Sequence, residues 1–351
     1  MVNVSLIIPV YNEIRFIQKT LESVIGEADE VILSDNASTD GTSDICQSFA
    51  NKYPEIKYIR HKENMGAFKN FFYCVDQSSG KYIRNLGAHD VPSHGSTIAM
   101  YNIIEKKSDV SMVYPKYCIN LNPDDTFNSF VVNNFGEYLI SESLFIRVKY
   151  LIKDIIDFGM FYGIYKTDVL KTCLKTYQVF PNIISDYAII AYMASVGKIV
   201  AENKSVIYRY IPRIESGFEH LKHIAKQING DDKNVYLWNL ICTMELYNLA
   251  YNMQNTDRNI KNFTREILEI ILHTHYGLNE ILDALNGVMP ALLDGKENIK
   301  NEFNYLIKDI LKTERKNVYR LFFNKSVKRI KYLLPYGLVR YIQKRRRLGN
   351  N

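Results

Sequence analysis

The segment Val4–Val10 reads VSLIIPV and is followed at once by the polar residues Tyr11, Asn12 and Glu13. A short, uninterrupted apolar run rich in β-branched residues predicts a strand that is buried on both faces of a sheet. In open α/β sheets, ligands bind beyond the carboxyl ends of the strands. The polar residues after Val10 are therefore the first candidates for a functional loop.

Working outward from this strand, the sequence alternates strand-length apolar runs with segments of helical apolar spacing. Further strands are predicted at Glu30–Ser34, Ile56–Arg60, Lys81–Leu86 and Val110–Tyr114, and helices at Ile14–Ile25, after Asp40, at Gly66–Val75 and at Ser96–Lys107. Strands that alternate with helices over short connections imply a parallel, right-handed α/β sheet. Because Asp35-Asn36 and Gly87–Asp90 follow the second and fourth strands, we expect both to converge with the loop after Val10 on one cleft.

The second half of the chain is less regular in pattern. We predict a polar loop at Asn120–Asn134, helices at Leu139–Ile156, Asp168–Thr176 and Ser185–Ser195, and two strands at Ile199–Ala201 and Val206–Tyr210. After about Phe218 only helical patterns follow, the first of them at Val235–Met253. The sequence therefore predicts an α/β domain over residues 1–217, a helical domain over 218–324 and a tail over 325–351.

Composition excludes several classes of protein. Of the 351 residues, 47% are hydrophobic and 23% are charged, which is unlike a disordered chain, a collagen or a small disulfide scaffold. The five cysteines are odd in number, lie far apart and form no CxxC pair, so we expect neither a disulfide framework nor a cysteine zinc site, and a reducing cytosol. Val4–Val10 is too short for a signal peptide, and no apolar run has the length of a membrane span.

The positive charge is concentrated in the tail. The net charge is +6, yet residues 325–347 hold nine Lys or Arg and no acid, so the rest of the chain has a net charge of −3. Val327, Ile330 and Leu334 share one helical face, and a basic amphipathic helix predicts attachment to an anionic membrane surface. A solvated docking helix or an RNA contact is the alternative. The acidic body and the absence of base-stacking motifs argue against a nucleic acid partner.

Four segments, taken in order, carry a resemblance to a known family. The sequence has no GxGxxG after the first strand, no P-loop and no GxSxG elbow. The four segments are Val4–Glu13, Ser34–Thr42, Glu63–Asn70 and Gly80–Asp90. Their order and spacing resemble the GT-A glycosyltransferases of family 2 over roughly residues 2–115 and, less clearly, to about residue 215. The resemblance implies an α/β GT-A fold, with a Rossmann-like, mostly parallel sheet in the N-terminal domain and a mainly α-helical C-terminal region.

The same resemblance implies a binding site for a nucleotide sugar. Pro9, Tyr11 and Glu13 are assigned to its pocket. Asp35 is assigned to the base, because a carboxylate accepts a hydrogen bond from a base N–H; capping of the next helix is the alternative. Lys69 stands where the family often places a basic residue that faces the nucleotide, and a solvated helix charge is the alternative there.

The metal-binding D-x-D motif of the family is altered in this chain. Its three positions are Gly87, Ala88 and His89, and Asp90 follows. In the family this motif binds Mg²⁺ or Mn²⁺, which neutralises the diphosphate of the donor. Three interpretations stay open: a Mn²⁺ site made by His89 with Asp90, a metal-independent site in which His89 hydrogen-bonds the diphosphate, and a degenerate, inactive domain. Imidazole suits Mn²⁺ better than Mg²⁺, and Asp90 is assigned to the nucleotide-sugar site.

Inverting transfer needs a general base that takes the proton of the acceptor hydroxyl. The resemblance places this base in a short acidic motif at the start of a helix, a position that Ser185-Asp186-Tyr187 occupies. Asp186 is therefore the predicted base, and an ordinary acid favoured by the helix dipole is the alternative. Asp157 and Asp168 are the other candidate acids.

Three cationic candidates, Arg209, Arg213 and His220, follow the last strand predicted in this domain. In related enzymes a loop at this place closes over the diphosphate. Arg209 and Arg213 are therefore assigned to the nucleotide-sugar site, with a solvated surface as the alternative.

Together these features imply an inverting glycosyltransferase that moves a sugar from a nucleotide-diphosphate donor to a glycan. A polyprenyl-diphosphate-linked acceptor in bacterial capsule, O-antigen or related surface-glycan synthesis is expected. The helical domain is expected to recognise the acceptor or to form a homo-oligomer. The tail is expected to hold a cytoplasmic enzyme at the inner face of the plasma membrane. The alternative is an inactive GT-A domain that serves as a binding or scaffold subunit, which only the altered D-x-D motif favours.

Overall fold

The computed structural model describes residues 3–132, 138–154, 158–176, 184–210 and 237–254, together with five single positions between 301 and 312. By its internal contacts the chain divides into two compact units, Met1–His220 and Leu221–Asn351. The predicted domain boundaries at residues 217 and 324 stay predictions, and the basic tail lies outside the described residues. Within the described ranges, no helix combines the length and the apolarity that crossing a bilayer requires.

The first unit is built on a nine-stranded sheet. Its strands are β1 (Val4–Val10), β2 (Glu30–Asp35), β3 (Ile56–Arg60), β4 (Tyr82–Asn85), β5 (Asp90–Pro92), β6 (Val110–Leu121), β7 (Phe127–Val132), β8 (Ile164–Lys166) and β9 (Lys198–Tyr210). Their spatial order is β3-β2-β1-β4-β8-β6-β9-β5, and β7 pairs with β6. The predicted α/β sheet is confirmed: β3, β2, β1 and β4 are parallel, and beyond β4 the sheet becomes mixed.

Helices connect and cover these strands. They are α1 (Ile17–Val24), α2 (Thr42–Lys52), α3 (Ala67–Gln77), α4 (Ser96–Lys106), α5 (Leu144–Asp154), α6 (Thr167–Thr176) and α7 (Asp186–Val196), with short 3₁₀ helices at Tyr138–Ile140 and Phe158–Tyr162. In the second unit, α8 (Leu237–Gln254) confirms the helix predicted at Val235–Met253. Most of the α8 side chains that the structure describes are buried.

Strand β1 lies between β2 and β4 and is buried on both faces, as its uninterrupted apolar sequence predicts. Leu6 and Ile8 share one core with Ile17 and Leu21 of α1, and all four side chains are fully buried. Each such side chain contributes about 1.5–3 kcal/mol of burial free energy relative to an exposed one. This central strand therefore fixes where the polar residues after Val10 emerge at the edge of the sheet.

The loop predicted at Asn120–Asn134 is wrong in its larger part. Strand β6 continues to Leu121, and residues 122–126 turn the chain into β7, which pairs with β6 in antiparallel register. The Asn122 backbone N–H donates to the Thr126 carbonyl at 2.8 Å, and Asp125 has a φ of 64°. The polar residues of the turn hid the hairpin, because β7 is an edge strand whose apolar side chains stay largely exposed and give no buried-strand pattern.

The two strands predicted at Ile199–Ala201 and Val206–Tyr210 form one continuous strand, β9. The exposed residues Asn203 and Lys204 in its middle explain why the sequence pattern is interrupted. Strand β9 pairs in parallel with β6 and antiparallel with β5. This pairing carries the end of β9 to the loop between β4 and β5.

A buried cation in β4 fixes the start of α4. Arg84 is fully buried, and its Nη1 donates to the hydroxyls of Ser96 at 2.9 Å and Thr97 at 2.5 Å. The Glu27 carboxylate accepts the backbone N–H groups of Gly95 and Thr97. Burial lowers the pKa of Arg84 to about 10, and the charge of Glu27 opposes this shift. This pair supports the segment between β4 and α4.

Candidate active site

The loops that follow β1 and β2 are joined to each other by hydrogen bonds. The Asn12 backbone N–H donates to the Ser38 hydroxyl at 3.0 Å, and the Thr39 N–H donates to the Asn12 side-chain oxygen at 2.8 Å. Asn12 and Ala37 have φ angles of 55° and 62°. This left-handed conformation costs about 1–2 kcal/mol for a residue with a Cβ. The crossed hydrogen bonds hold both loops in this shape, so they form one wall of the cleft.

Asp35 ends β2, and none of its surface is exposed. One carboxylate oxygen accepts the Ser38 backbone N–H at 2.8 Å, and the other accepts the Tyr58 hydroxyl at 2.8 Å. Arg60 Nε lies 3.6 Å from the second oxygen. Protein groups thus surround this carboxylate, and its assignment to the base of the nucleotide stays a prediction.

The other residues assigned to the nucleotide pocket differ in exposure. Pro9 is half-buried in β1, in register with Ser34 of β2. Tyr11 follows the strand and is 44% exposed. Lys69 is exposed in the first turn of α3, where the described residues offer it no hydrogen bond or ion pair. All three lie at the edge of the sheet where β1, β2 and β3 end, and their assignments stay predictions.

Glu13 connects the loop after β1 with the loop between β4 and β5. Its Oε1 lies 2.9 Å from Nδ1 of His89, a hydrogen bond, and Nε2 of the same ring lies 4.0 Å from Oδ1 of Asp90. The Thr20 hydroxyl donates to the Ala88 carbonyl at 3.1 Å and supports the loop from α1. The structure therefore brings together the polar groups that the sequence placed after the first and fourth strands.

The acid and the histidine at the end of the β4–β5 loop, Asp90 and His89, have pKa values shifted from their ordinary ones. Burial raises the pKa of Asp90, while the charges of His89 and Arg209 and the facing Tyr162 hydroxyl act to lower it. Burial lowers the pKa of His89, but the hydrogen bond with Glu13 and the charge of Asp90 outweigh this and raise it to about 9. Without a bound cation the imidazole is therefore protonated at neutral pH, and a metal that binds Nε2 would replace this proton.

Asp90 is fully buried, and among the described residues the Tyr162 hydroxyl and the Tyr210 backbone N–H face its carboxylate without making a hydrogen bond of regular geometry to either oxygen. A buried polar group of this kind normally has a partner, because an unpaired buried charge is costly. The Asp90 carboxylate therefore keeps acceptor capacity for a ligand.

Arg209 connects the β4–β5 loop with the predicted base. It lies opposite Asp90 in the pairing of β5 with β9, and its guanidinium lies 5.6 Å from the centre of the Tyr162 ring. Its charge lowers the pKa of Asp90 and also that of Asp186. One cation therefore acts on both the donor side and the acceptor side of the predicted site.

Asp186 is the first residue of α7 and is half-buried. The preceding Ser185 caps the helix, and its hydroxyl accepts the Ala188 N–H at 3.1 Å. Burial raises the pKa of Asp186 to about 6, against the effects of its own backbone N–H and of Arg209. A carboxylate with this pKa is ionised at neutral pH and is basic enough to take up a proton. The position suits a general base, and that role stays a prediction.

The remaining candidates lie apart from this cluster or outside the described ranges. Asp168 is exposed in the first turn of α6, and none of the described site groups pairs with it. Asp157, Arg213 and His220 lie outside the described residues.

Residues 5–168 match the family model described as glycosyl transferase family 2. The chain is similar to this family over residues 5–168, which we call the family 2 segment. The match covers just under half of the chain and runs from β1 into α6. The family 2 segment therefore includes Glu13 and the Gly87–Asp90 loop, whereas Asp186 and Arg209 follow it.

Two curated relatives share part of the family 2 segment. The chain is 29% identical over 113 residues to abequosyltransferase RfbV of Salmonella typhimurium, covering 30% of this chain and 34% of that protein. It is 30% identical over 115 residues to the minor teichoic acid biosynthesis protein GgaB of Bacillus subtilis, covering 31% of this chain and 13% of that protein. The matched region therefore spans about a third or less of these relatives.

One solved structure shows a similar course of the chain. It is the mannosyltransferase PcManGT from Pyrobaculum calidifontis in complex with GDP-Man and Mn²⁺. The similarity covers 82% of this chain and 75% of that one, with 15% sequence identity and a TM-score of 0.47.

The residues at the altered D-x-D position of the family 2 segment fit a divalent cation with two protein ligands. The described residues bring together no group of three His, Cys, Asp or Glu side chains suited to a metal. The available donors are Nε2 of His89 and the buried carboxylate of Asp90, whose oxygens lack hydrogen bonds. Small divalent cations at nucleotide sites often use only one or two protein ligands, because phosphate oxygens and water complete the coordination.

Two features of the site are missing from the sequence-based prediction. Gly159–Tyr165 resembles the acceptor-side segment of the family, but the sequence assigns no role to Tyr162 itself, which packs under Arg209 and faces Asp90. Glu13 is assigned to the nucleotide pocket, and its hydrogen bond with His89 is not foreseen. Only a structure places residues 76 positions apart within hydrogen-bond distance.

Proposed function

We propose that the protein is an inverting glycosyltransferase that moves a sugar from a nucleoside-diphosphate donor to a glycan acceptor. The observation that carries this proposal is the position of Arg209. Its charge acts on Asp90, beside His89, and on Asp186. One side chain therefore acts on the loop of His89 and Asp90, which suits an anionic leaving group, and on Asp186, which suits proton removal.

In the proposed reaction, the acceptor hydroxyl oxygen attacks the anomeric carbon from the face opposite the leaving group. Asp186 takes the hydroxyl proton as the new carbon–oxygen bond forms. The bond between the anomeric carbon and the diphosphate oxygen breaks, and the electron pair leaves with the nucleoside diphosphate. Arg209 stabilises the charge that develops there, and protonated His89 adds to this effect when no cation is bound at its Nε2. A bound divalent cation would supply further neutralisation of the diphosphate.

Release of nucleoside diphosphate is the direct test of this function. The full chain is incubated with UDP-, GDP- and dTDP-sugars together with a lipid-linked glycan acceptor, with and without Mn²⁺, and the free diphosphate is measured. Turnover of one donor class supports the enzyme. The rival hypothesis, an inactive scaffold domain, rests on Gly87 at the first D-x-D position, and binding of a donor without any turnover supports that hypothesis instead.

Substitution of Arg209 tests whether the two halves of the site work together. Because Arg209 lowers the pKa of Asp186, Arg209→Gln should move the acid limb of the pH–rate profile to higher pH and also raise the KM for the donor. Arg15→Gln is the matched control, since the exposed Arg15 side chain donates to the Pro123 carbonyl instead. A changed KM with an unmoved acid limb would show that Asp186 is not the titrating base.

We further propose that the acceptor is a lipid-linked surface glycan and that the enzyme works at the inner face of the plasma membrane. The names of the two relatives, an abequosyltransferase and a teichoic acid biosynthesis protein, support the glycan class. The nine cations and no acids of residues 325–347 support attachment of the tail, at about 1 kcal/mol for each cation near an anionic bilayer. Acceptor recognition or homo-oligomerisation by the helical domain belongs to the same proposal.

Vesicle flotation tests the membrane proposal. The full chain should float with vesicles that contain phosphatidylglycerol at low salt, and a chain that ends before Lys325 should not. Raised salt should release the full chain, because the attraction is electrostatic. If the full chain ignores these vesicles at low salt, the tail is a protein-docking segment.

A further inference from the structure

The Asp90 carboxylate lies in the space that a side chain at position 87 would occupy. Gly87 stands at the first aspartate position of the D-x-D motif. A Cβ built on Gly87 would lie 2.4 Å from Oδ2 and 3.2 Å from Cγ of Asp90. Real Cβ atoms do not approach other atoms so closely, so the carboxylate of Asp90 fills the space that a side chain at position 87 would need.

His89 faces the same point in the structure. The Cβ position on Gly87 lies 3.8 Å from Nε2 of His89, and this nitrogen lies 4.0 Å from Oδ1 of Asp90. Two metal-ligating atoms from adjacent residues thus converge beside the glycine. A separation of this size lets both atoms reach one small cation between them after modest movement.

Two independent observations indicate that a ligand belongs at this point. The Asp90 carboxylate is fully buried and lacks a regular hydrogen bond from the described residues. The His89 ring is oriented by Glu13, which holds Nδ1 at 2.9 Å and leaves Nε2 toward Asp90. A carboxylate on the distal nitrogen is the usual partner of a metal-ligating histidine, since it fixes the tautomer and the direction of the ring.

We propose that the carboxylate role of position 87 has moved to Asp90, and that Asp90 and Nε2 of His89 bind one divalent cation, with Glu13 as the positioning residue of the His89 ring. This inference rests on the proposed glycosyltransferase function, because the donor diphosphate completes the coordination. It also explains how a chain without the first aspartate retains a cation site. An aspartate restored at position 87 collides with Asp90 and does not improve the site.

Binding of Mn²⁺ is measured directly on the full chain, by electron paramagnetic resonance, with Mn²⁺ alone and with Mn²⁺ plus UDP or GDP. Wild type should bind one Mn²⁺, and electron spin-echo modulation should show a coordinated imidazole nitrogen. Asp90→Asn and His89→Gln should each weaken binding by at least about 10-fold. His94→Gln is the matched control, because the His94 ring also faces a carboxylate, Glu27 at 3.3 Å, but is 95% exposed. Wild-type affinity in Asp90→Asn would overturn the proposal.

Variants that exchange the carboxylate between positions 87 and 90 test whether Asp90 has taken over the ligand role of position 87. Gly87→Ala removes no ligand but should weaken Mn²⁺ binding, because its Cβ displaces the Asp90 carboxylate. Gly87→Asp should also bind weakly, whereas Gly87→Asp combined with Asp90→Ala should recover affinity to within about 10-fold of wild type. Thermal melts of the metal-free variants show that each one folds. Tighter binding by Gly87→Asp alone, or no recovery in a folded double variant, would overturn the relocation.

Glu13→Gln tests the positioning role. It should lower Mn²⁺ affinity about 10–100-fold and weaken the imidazole nitrogen signal, while Asp90 still coordinates. An unchanged nitrogen signal would remove Glu13 from the site. The proposed function fails separately: Mn²⁺ binding without transfer of any sugar leaves the cation site intact and overturns only the enzymatic activity.

Discussion

The two sides of the cleft differ in how their buried acids are satisfied. Asp35, beside the β1–β2 wall, and Asp90, in the β4–β5 loop, are both fully buried. Each Asp35 oxygen accepts a hydrogen bond, whereas neither Asp90 oxygen has a regular one from the described residues. Burial is equal, so the difference lies in the surroundings. One side of the cleft is therefore a wall completed by folding, while the other keeps acceptor atoms for a ligand.

The largest expected effect concerns Asp186, the proposed general base. Asp186→Asn should lower the transfer rate about 10²–10⁴-fold while the affinity for donor stays near that of wild type, because the amide keeps the shape but cannot take the proton. Steady-state rates and calorimetric titration of nucleoside diphosphate measure the two quantities. Asp168→Asn, at an exposed helix start, is the control and should be neutral. Near wild-type turnover in Asp186→Asn would move the base to another acid.

The same substitution at the two buried acids, Asp35 and Asp90, should change the free energy of unfolding by different amounts. Asp35→Asn should lower the free energy of unfolding by about 1.5–3 kcal/mol, because its amide faces the N–H of Ser38 or the hydroxyl of Tyr58. Asp90→Asn should lower stability less than Asp35→Asn does, since it breaks no regular hydrogen bond and loses only the attraction of His89 and Arg209. Chemical denaturation at pH 7 without metal or nucleotide measures both. Equal losses would mean that Asp90 is also part of a completed wall.

The pH dependence of the transfer rate should follow the ionisation of Asp186. The pKa of Asp186 is raised to about 6, so the base is ionised above that pH and protonated below it. The rate should therefore be constant in the neutral range and fall about tenfold per pH unit as the pH drops below about 6. Donor affinity, measured at the same pH values, should fall less steeply. A rate that holds to pH 5 contradicts the assignment.

The smallest expected effect concerns the β1–β2 wall. Ala37 has a φ of 62°, a conformation that glycine adopts without strain. Ala37→Gly should therefore raise the free energy of unfolding by about 0.5–1 kcal/mol. Ala99→Gly, within α4, is the control and should lower it by a similar amount. Thermal melts of both variants settle the sign, and a loss of stability in Ala37→Gly would mean that the wall is not strained at this position.

Local sequence patterns are sufficient to predict the parallel half of the fold. The apolar runs at β1, β2, β3 and β4 and the helices between them follow from local periodicity, because a buried strand or an amphipathic helix needs a fixed spacing of apolar residues. The sequence also predicted that the polar residues after these strands converge. It did not predict the β6–β7 hairpin or the continuity of β9, since exposed polar residues interrupt both patterns.

The contacts between the polar groups of the cleft depend on the tertiary structure. The pairing of β5 with β9 places Arg209 opposite Asp90, and the end of β1 places Glu13 on His89. No local sequence pattern predicts these contacts, because the residues in contact are far apart in sequence and are brought together only by the order of the strands in the sheet. The sequence showed that Gly87 lacks the aspartate of the motif. Only the structure showed that the Asp90 carboxylate fills that space, because occupancy of space is a property of packing in three dimensions.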